Sequence, residues 1–287
     1  MIRRRSLLVT TGLAAVALAL SACSGTSSTP AASSSGGSAA ASGPAALQTV
    51  VPGKLTVATG QPAYSPWVED NDPTSGKGFE SAVTYAVAKQ LGYAKSDVVW
   101  ARSSFDSAIT PGAKTWDLNI QQFSITKDRE KVVDFSSPYY TTTQAVVTTK
   151  GSKAAGVTTL AGLKGLKIGV ATGTTSYTVV NAQVGQPAVF STVDDAVQAL
   201  KTKQVDAVVT DLPGAYYIAG AQLKDGVVSA QFADSSDGGD QFAYVLPKRS
   251  PLTKPVSAAI DALAKSGELK QLTDEWLSSA VKVPVLQ

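Results

Sequence analysis

The sequence predicts an α/β protein with a largely parallel sheet. Short β-branched runs alternate with helical stripes of apolar residues, which is the pattern of strands covered by helices. The alternation makes a fresh start near the middle of the chain. About 240 residues follow a low-complexity leader, enough for one large domain or two lobes of ordinary size.

The amino-terminal segment is not part of that pattern. Arg3, Arg4 and Arg5 precede an apolar stretch from Leu7 to Leu20, and Leu20-Ser21-Ala22-Cys23 closes it. A basic start, an apolar core too short to span a bilayer and small residues before a cut are the parts of a secretory signal. The run resembles the bacterial lipoprotein signal, which implies a signal peptide over 1–22 and a diacylglyceryl group on Cys23, the only cysteine of the chain. Residues 24–46 are almost wholly Ser, Gly, Ala, Thr and Pro. Such a segment cannot build a core, and as a flexible coil it spans roughly 25 Å.

The ordered part begins near Leu47. Lys54 to Ala58 reads as the first strand, and Ser81 to Leu91 as a helix with Ala82, Val83, Ala86, Val87 and Leu91 on one face and Gly92 as its stop. Val98 to Trp100 is a short strand, Phe105 to Ile109 a helix cut by Pro111, and Asp117 to Phe123 a strand. In the second half Lys167 to Ala171 is a strand, Gly173-Thr174-Thr175 a turn, and a helix begins near Ser176. Thr192 caps a helix to Lys201. Val205 to Val209 is a buried strand ending at Thr210-Asp211, and Phe242 to Leu246 is another. Val256, Ala259, Ile260 and Leu263 form a helical stripe closed by Gly267, and a last helix carries Leu269, Leu272, Trp276 and Leu277.

Charge and composition exclude whole classes of function. Residues 1–22 hold three arginines and no acid, so the processed chain carries 22 basic and 22 acidic residues and no formal charge. No basic cluster stands out, which argues against nucleic acid as a partner. The chain has no histidine. This removes Ser-His-Asp and Cys-His catalysis and His-ligated metal, and neither a metal nor a cofactor is expected.

Several local patterns, in order from about Gly53 to Leu277, resemble one family. Ser124-Ile125-Thr126-Lys127-Asp128-Arg129 is followed by Val132-Val133-Asp134-Phe135-Ser136-Ser137-Pro138-Tyr139-Tyr140. Gly78-Phe79-Glu80, the turn from Gly169 to Thr175, and Val205-Asp206-Ala207-Val208-Val209-Thr210-Asp211 add to it. Together they resemble the polar amino-acid-binding proteins of ABC importers, the family 3 extracellular solute-binding proteins. The resemblance implies a type II periplasmic-binding-protein fold, two α/β lobes joined by a two-stranded hinge. Lobe 1 would comprise 47–143 plus 244–287, lobe 2 148–240, and the hinge would lie near 143–149 and 240–244.

A free amino acid is a zwitterion, so a site that takes it out of water needs a fixed cation for the carboxylate and a fixed anion for the ammonium. The resemblance implies Arg129 as the cation, since a guanidinium grips a carboxylate through two parallel hydrogen bonds. Read without it, Asp128 to Lys131 is a solvated helix start capped by Thr126. Asp211 matches the acid that receives the ammonium, at the carboxyl end of a strand, with Asp206 as the alternative if the register shifts. Thr174 and Thr175, between a strand and a helix, either cap that helix, offer the carboxylate N–H and hydroxyl groups, or do both. Ser124, Gln122, Tyr64, Phe105 and Gln61 complete the ligand-binding set, Tyr64 and Phe105 as aromatic walls, with Trp67 and Trp116 as further candidates. Glu80 reads as a helix N-terminal residue.

Two departures from the family bear on the ligand. Cation-binding relatives often carry Asp where Gln61 stands, and Gln121 and Gln122 replace small residues. These favour a compact, neutral polar or amide side chain, with Lys77 or Lys127 the only aids to an acidic one. The implied function is an extracytoplasmic, lipid-anchored, monomeric binder on the outer face of the cell membrane. It would deliver an amino acid to an ABC permease and would not be an enzyme. The alternatives are an amino-acid-sensing lipoprotein module and a dehydratase or lyase on the same fold, for which Glu80 and Asp211 are the candidate acids.

Overall fold

The computed structural model describes residues 47–233, 239–277 and 283–287. The signal peptide expected over 1–22, Cys23 and the linker to residue 46 lie outside the described residues. No helix among the described residues is long and apolar enough to cross a membrane.

Two five-stranded sheets organise the chain. The first contains β1 (Leu55–Thr59), β2 (Val98–Arg102), β3 (Leu118–Asn119), β4 (Val133–Phe135) and, after the chain has left and returned, β12 (Val245–Pro247). Its order is β2-β1-β3-β12-β4, parallel around β1 and antiparallel around β12. Every residue of β1 is buried, as expected of a strand with helices on both faces. Three helices cover one side: α1 (Phe79–Gln90), α8 (Thr253–Ser266) and α9 (Glu268–Leu277). Phe79, Val83 and Val87 of α1 meet Val256, Ile260 and Leu263 of α8 over Leu55 and Val57. Gly267, in the left-handed region at φ 82°, ends α8 where the sequence stripe ends.

The second sheet holds β6 (Gln144–Thr149), β7 (Ile168–Ala171), β8 (Ala188–Phe190), β9 (Ala207–Asp211) and β10 (Gly226–Gln231), in the order β10-β6-β9-β7-β8. Alternation along β9 decides what each face touches. Ala207 and Val209 pack with Ile168, Val170 and Val180, while Val208 packs with Val197, Leu200 and Ala196. The covering helices are α4 (Leu160–Leu163), α5 (Thr175–Gln183), α6 (Val193–Lys201) and α7 (Leu212–Tyr217), the last running into a π turn over Ile218–Gln222. Two short helices, α2 (Phe105–Ile109) and α3 (Lys127–Glu130), belong to the first lobe. Thr192 caps α6 through a reciprocal box with Asp195, an arrangement worth about 1 kcal/mol.

Between the sheets the chain crosses on a two-stranded ribbon, β5 (Tyr140–Thr142) paired antiparallel with β11 (Asp240–Phe242). This corrects the expected hinge. Residues 144–149 are β6, bonded to β9 on one edge and β10 on the other and buried as far as Thr148, so they are an interior strand of the second lobe. The run Phe242 to Leu246 is likewise two elements, because Phe242 ends the ribbon and Val245 begins β12. The strand expected over Asp117 to Phe123 shortens to Leu118–Asn119, since Gln122 adopts φ 50° and turns the chain.

The carboxyl terminus is a second correction. It was assigned with the first lobe, yet Val285 bridges Gln231 of β10, and the Leu160 N–H donates to the Gln287 carbonyl at 2.9 Å. Leu286 is buried with Val146, Ile168 and Phe232. An apolar side chain near a chain end follows whichever surface buries it, and here that is the second lobe.

Glu80 is fully buried at the start of α1. Its carboxylate accepts from the Tyr139 hydroxyl at 2.5 Å, from the Gln122 N–H at 2.8 Å and from the Gln122 side-chain amide at 2.5 Å. It therefore holds the turn that carries Gln122 in its left-handed conformation. Burial pushes its pKa from 4.5 up to about 7 against the pull of those three hydrogen bonds. A carboxyl raised in the folded state stabilises it when protonated, so this contribution is complete below pH 4.5 and is lost as pH rises through about 7. Denaturant titrations of the wild type and Glu80→Gln should show this: between about pH 5 and about pH 8 the wild type should lose more stability than the variant, the difference being on the order of 3 kcal/mol. Leu286→Ala should cost about 2 kcal/mol in the same assay, which a terminus unattached to the second lobe would not.

Candidate functional site

A cavity of about 360 Å³ lies between the lobes. All nine ligand-binding residues named from the sequence line it: Gln61, Tyr64, Phe105, Gln122, Ser124 and Arg129 from the first lobe, Thr174, Thr175 and Asp211 from the second.

Arg129 sits on α3, whose outer residues are a capped, solvated helix start while its own side chain lines the cavity. Thr126 caps it, accepting from the Arg129 N–H at 3.2 Å, and Asp128 pairs with Lys131 on the surface at 2.7 Å. The Arg129 side chain turns inward and is 8% exposed. It donates to the Ser124 carbonyl at 2.7 Å in its own lobe and to the Gly173 carbonyl at 2.8 Å in the other. Its guanidinium lies 5.2 Å from the Phe105 ring centre, and Phe105 in turn stacks on Phe123 at 4.6 Å. Phe105 is thus both a wall and a support for the cation. Burial lowers the pKa of Arg129 while Asp211 and Asp240 raise it, and a guanidinium keeps its charge throughout. With five N–H donors, it has hydrogens to spare beyond the two carbonyls.

Asp211 ends β9 and faces the cavity floor. Its Oδ1 accepts from the Gln144 side-chain amide at 2.6 Å, and the same nitrogen donates to Asp240 of the crossover ribbon at 2.5 Å. Gln144 is itself oriented by Ser176, which donates to its oxygen at 2.5 Å. Part of the Asp211 surface opens to the cavity, but protein rings it. That desolvation, followed by the nearby Asp240 charge, pushes its carboxyl from 3.8 up to about 7, while Gln144 and Arg129 act the other way. A cation arriving at Asp211 would reverse the dominant effect. Asp206 takes no part: its carboxylate accepts from the Lys167 N–H and its carbonyl from Thr148 and Ser152.

The opposite wall is the start of α5. Thr174 caps the helix, accepting from the Tyr177 N–H at 3.3 Å, and also lines the cavity. Gly173 precedes it at φ 69°, a conformation that lets its carbonyl meet Arg129, and a Cβ there would come 3.3 Å from Asp106. The Thr175 hydroxyl reaches Asp240 at 3.2 Å and Ser124 across the cleft at 3.4 Å.

Gln61 and Tyr64 form the outer part of the first-lobe wall. The Tyr64 hydroxyl donates to Asp194 at the first turn of α6, across the cleft, and its ring faces Tyr217 of α7 at 6.4 Å. The amides of Gln121 and Gln122 are partly engaged. Gln121 donates one amide hydrogen to Asn119 at 2.7 Å and Gln122 one to Glu80, and Gln122 keeps its carbonyl oxygen. Trp67 is a core residue that touches the cavity wall; Trp116 packs with Ala58, Phe123 and Val133 and does not line it. Lys77 and Lys127 do not line it either, and Lys127 pairs with Glu130 at the surface. Among the described residues no group of three metal-ligating acids or thiols comes together.

Sequence reasoning missed Gln144, Asp240, Asp194 and Tyr217. A glutamine opening the apolar run Ala145 to Val147 and an acid opening the strand before Phe242 were both visible as polar residues at buried strand ends. Asp194 reads as an ordinary helix N-terminal acid, and Tyr217 as a core residue of α7.

Residues 55–279 match the bacterial extracellular solute-binding proteins, family 3. The chain is 29% identical over 234 residues to the arginine-binding extracellular protein ArtP of Bacillus subtilis (strain 168), covering 79% of this chain and 88% of that protein. It is 30% identical over 201 residues to a probable histidine-binding protein of Campylobacter jejuni subsp. jejuni, covering 68% and 73%. Among solved structures, an ancestral arginine-binding protein bound to glutamine matches with a TM-score of 0.65 at 29% identity, over 79% of this chain and 98% of that one. Two sheets on a two-stranded crossover, a charged cavity between them and these matches lead to one assignment: the chain belongs to the bacterial extracellular solute-binding proteins, family 3.

Proposed function

We propose that this protein captures a free amino acid outside the cytoplasm by closing its lobes around it and delivers it to the permease of an ABC importer. The observation that carries this reading is a buried guanidinium on one lobe, Arg129, and a buried carboxylate on the other, Asp211, lining one cavity. That is the complement of a zwitterion. The ligand carboxylate would take the remaining Arg129 hydrogens, the Ser124 and Thr175 hydroxyls and the N–H groups at the start of α5. The ammonium would take Asp211 and the carbonyl oxygen of Gln122.

Closure follows from the division of these contacts. An open form offers each charge to water; the closed form gives each a partner only when the ligand bridges them, so ligand shifts the population toward closure. A micromolar affinity corresponds to about 8 kcal/mol, of which the interlobe bonds Arg129 to Gly173 and Ser124 to Thr175 are part of the closed state alone. The relatives reported above are named as binding proteins, and binding without turnover is the reading for this chain too. Cys23, carrying a diacylglyceryl group on its thiol and, once residues 1–22 are removed, an acyl chain on its new amino terminus, would tether a monomer to the outer face of the membrane through the 23–46 linker, since two or three chains anchor stably where one does not.

Calorimetry against the twenty amino acids should give stoichiometric heat with no product. Arg129→Ala and Asp211→Asn should each weaken binding by at least about 100-fold while circular dichroism shows the fold retained, because each leaves a buried opposite charge unpaired. Retained affinity in both variants overturns the site. Cys23→Ala should move the protein from the membrane fraction to the soluble one.

A further inference from the structure

We infer that Asp194 makes this cavity selective for an amino acid with a cationic side chain, a conclusion that rests on the amino-acid reading above and deepens it. The first ground is charge. Arg129 is the one cation among the residues lining the cavity, against Asp106, Asp194 and Asp211. A zwitterion's carboxylate and ammonium satisfy Arg129 and Asp211. Asp106 stands exposed, but Asp194 is half-buried and meets no lining cation. A neutral ligand would enclose that carboxylate without a counter-charge, whereas an ammonium or guanidinium on the side chain would neutralise it.

The second ground is the polarity of the hydrogen-bonding groups. The amide nitrogens of Gln121 and Gln122 each give one of their two hydrogens to protein, to Asn119 and Glu80. Asp194 receives one bond, from the Tyr64 hydroxyl, and an ionised carboxylate has room for about four. Asp194 therefore brings spare acceptor capacity to the cavity, which suits a donor-rich side chain.

Position is the third ground. Asp211 ends β9 and Asp194 lies just beyond β8, and these strands flank β7, so their ends stand about 10 Å apart. That separation suits an α-ammonium at one carboxylate and the tip of an extended lysine- or arginine-length side chain at the other. Tyr64 and Tyr217, tilted by 36°, supply aromatic faces beside that path. Gln61, Gln121 and Gln122, which favour a compact amide ligand, all belong to the first lobe; the anion comes from the second.

Isothermal titration of the purified full-length protein with arginine, lysine, glutamine and glutamate tests this. Arginine or lysine should bind at least about tenfold tighter than glutamine. Asp194→Asn should lower that cation's affinity by at least about tenfold and leave glutamine within about threefold. Tyr64→Phe, which removes the interlobe bond but keeps the carboxylate, should retain the preference for the cation. A wild type that prefers glutamine or glutamate overturns the inference while leaving the amino-acid reading intact. So does an Asp194→Asn variant that weakens every ligand equally, which would make Asp194 a closure contact only. If none of the twenty amino acids binds, the amino-acid reading itself falls.

Discussion

The structure turns on a guanidinium that protein has removed from water. Arg129 is held by the Ser124 carbonyl below it, the Phe105 ring beside it and the Gly173 carbonyl from the facing lobe. Neutral carbonyl oxygens orient a guanidinium without neutralising it, so the charge stays available. The remaining features of the cleft either hold this cation in place or supply the opposite charge at a fixed distance from it.

The opposite charge is arranged with equal economy of side chains. One amide, Gln144, donates to both Asp211 and Asp240, and so fixes the acid at the end of β9 to the crossover ribbon. Burial and the neighbouring Asp240 then leave Asp211 with a raised pKa, the condition of a carboxylate that gains most from meeting a cation. Because Asp240 belongs to β11, the acid that faces the cavity is bonded, through a single amide, to the element on which the lobes are joined.

Glu80 plays a structural part that its chemistry might have disguised. A fully buried carboxyl with a pKa near 7, at the edge of a cleft, has the properties of a general acid. Its oxygens are occupied by Tyr139 and Gln122, and it does not line the cavity. It shapes the turn from β3 toward Ser124 and Arg129, and thereby the first-lobe half of the site.

Much of this was legible in the sequence because it is local. Strand and helix periodicity, the Thr126, Thr174 and Thr192 caps, the Gly267 stop and the motif around Arg129 depend on residues a few positions apart, and the family resemblance those motifs carry pointed to two lobes and to nine residues that line the cleft. The hinge, the terminal strand and the groups Gln144, Asp240, Asp194 and Tyr217 depend on which strands become neighbours. Residues 144–149 become an interior strand only because β9 and β10 flank them, and Leu286 joins the second lobe only because an apolar surface there buries it. By itself the sequence determined the alternation of elements, and only through its family resemblance did it point to Arg129 and Asp211. Tertiary structure alone decided that a second-lobe carboxylate meets Tyr64 across the cleft, since charge complementarity between lobes arises from distances in space that no spacing along the chain encodes.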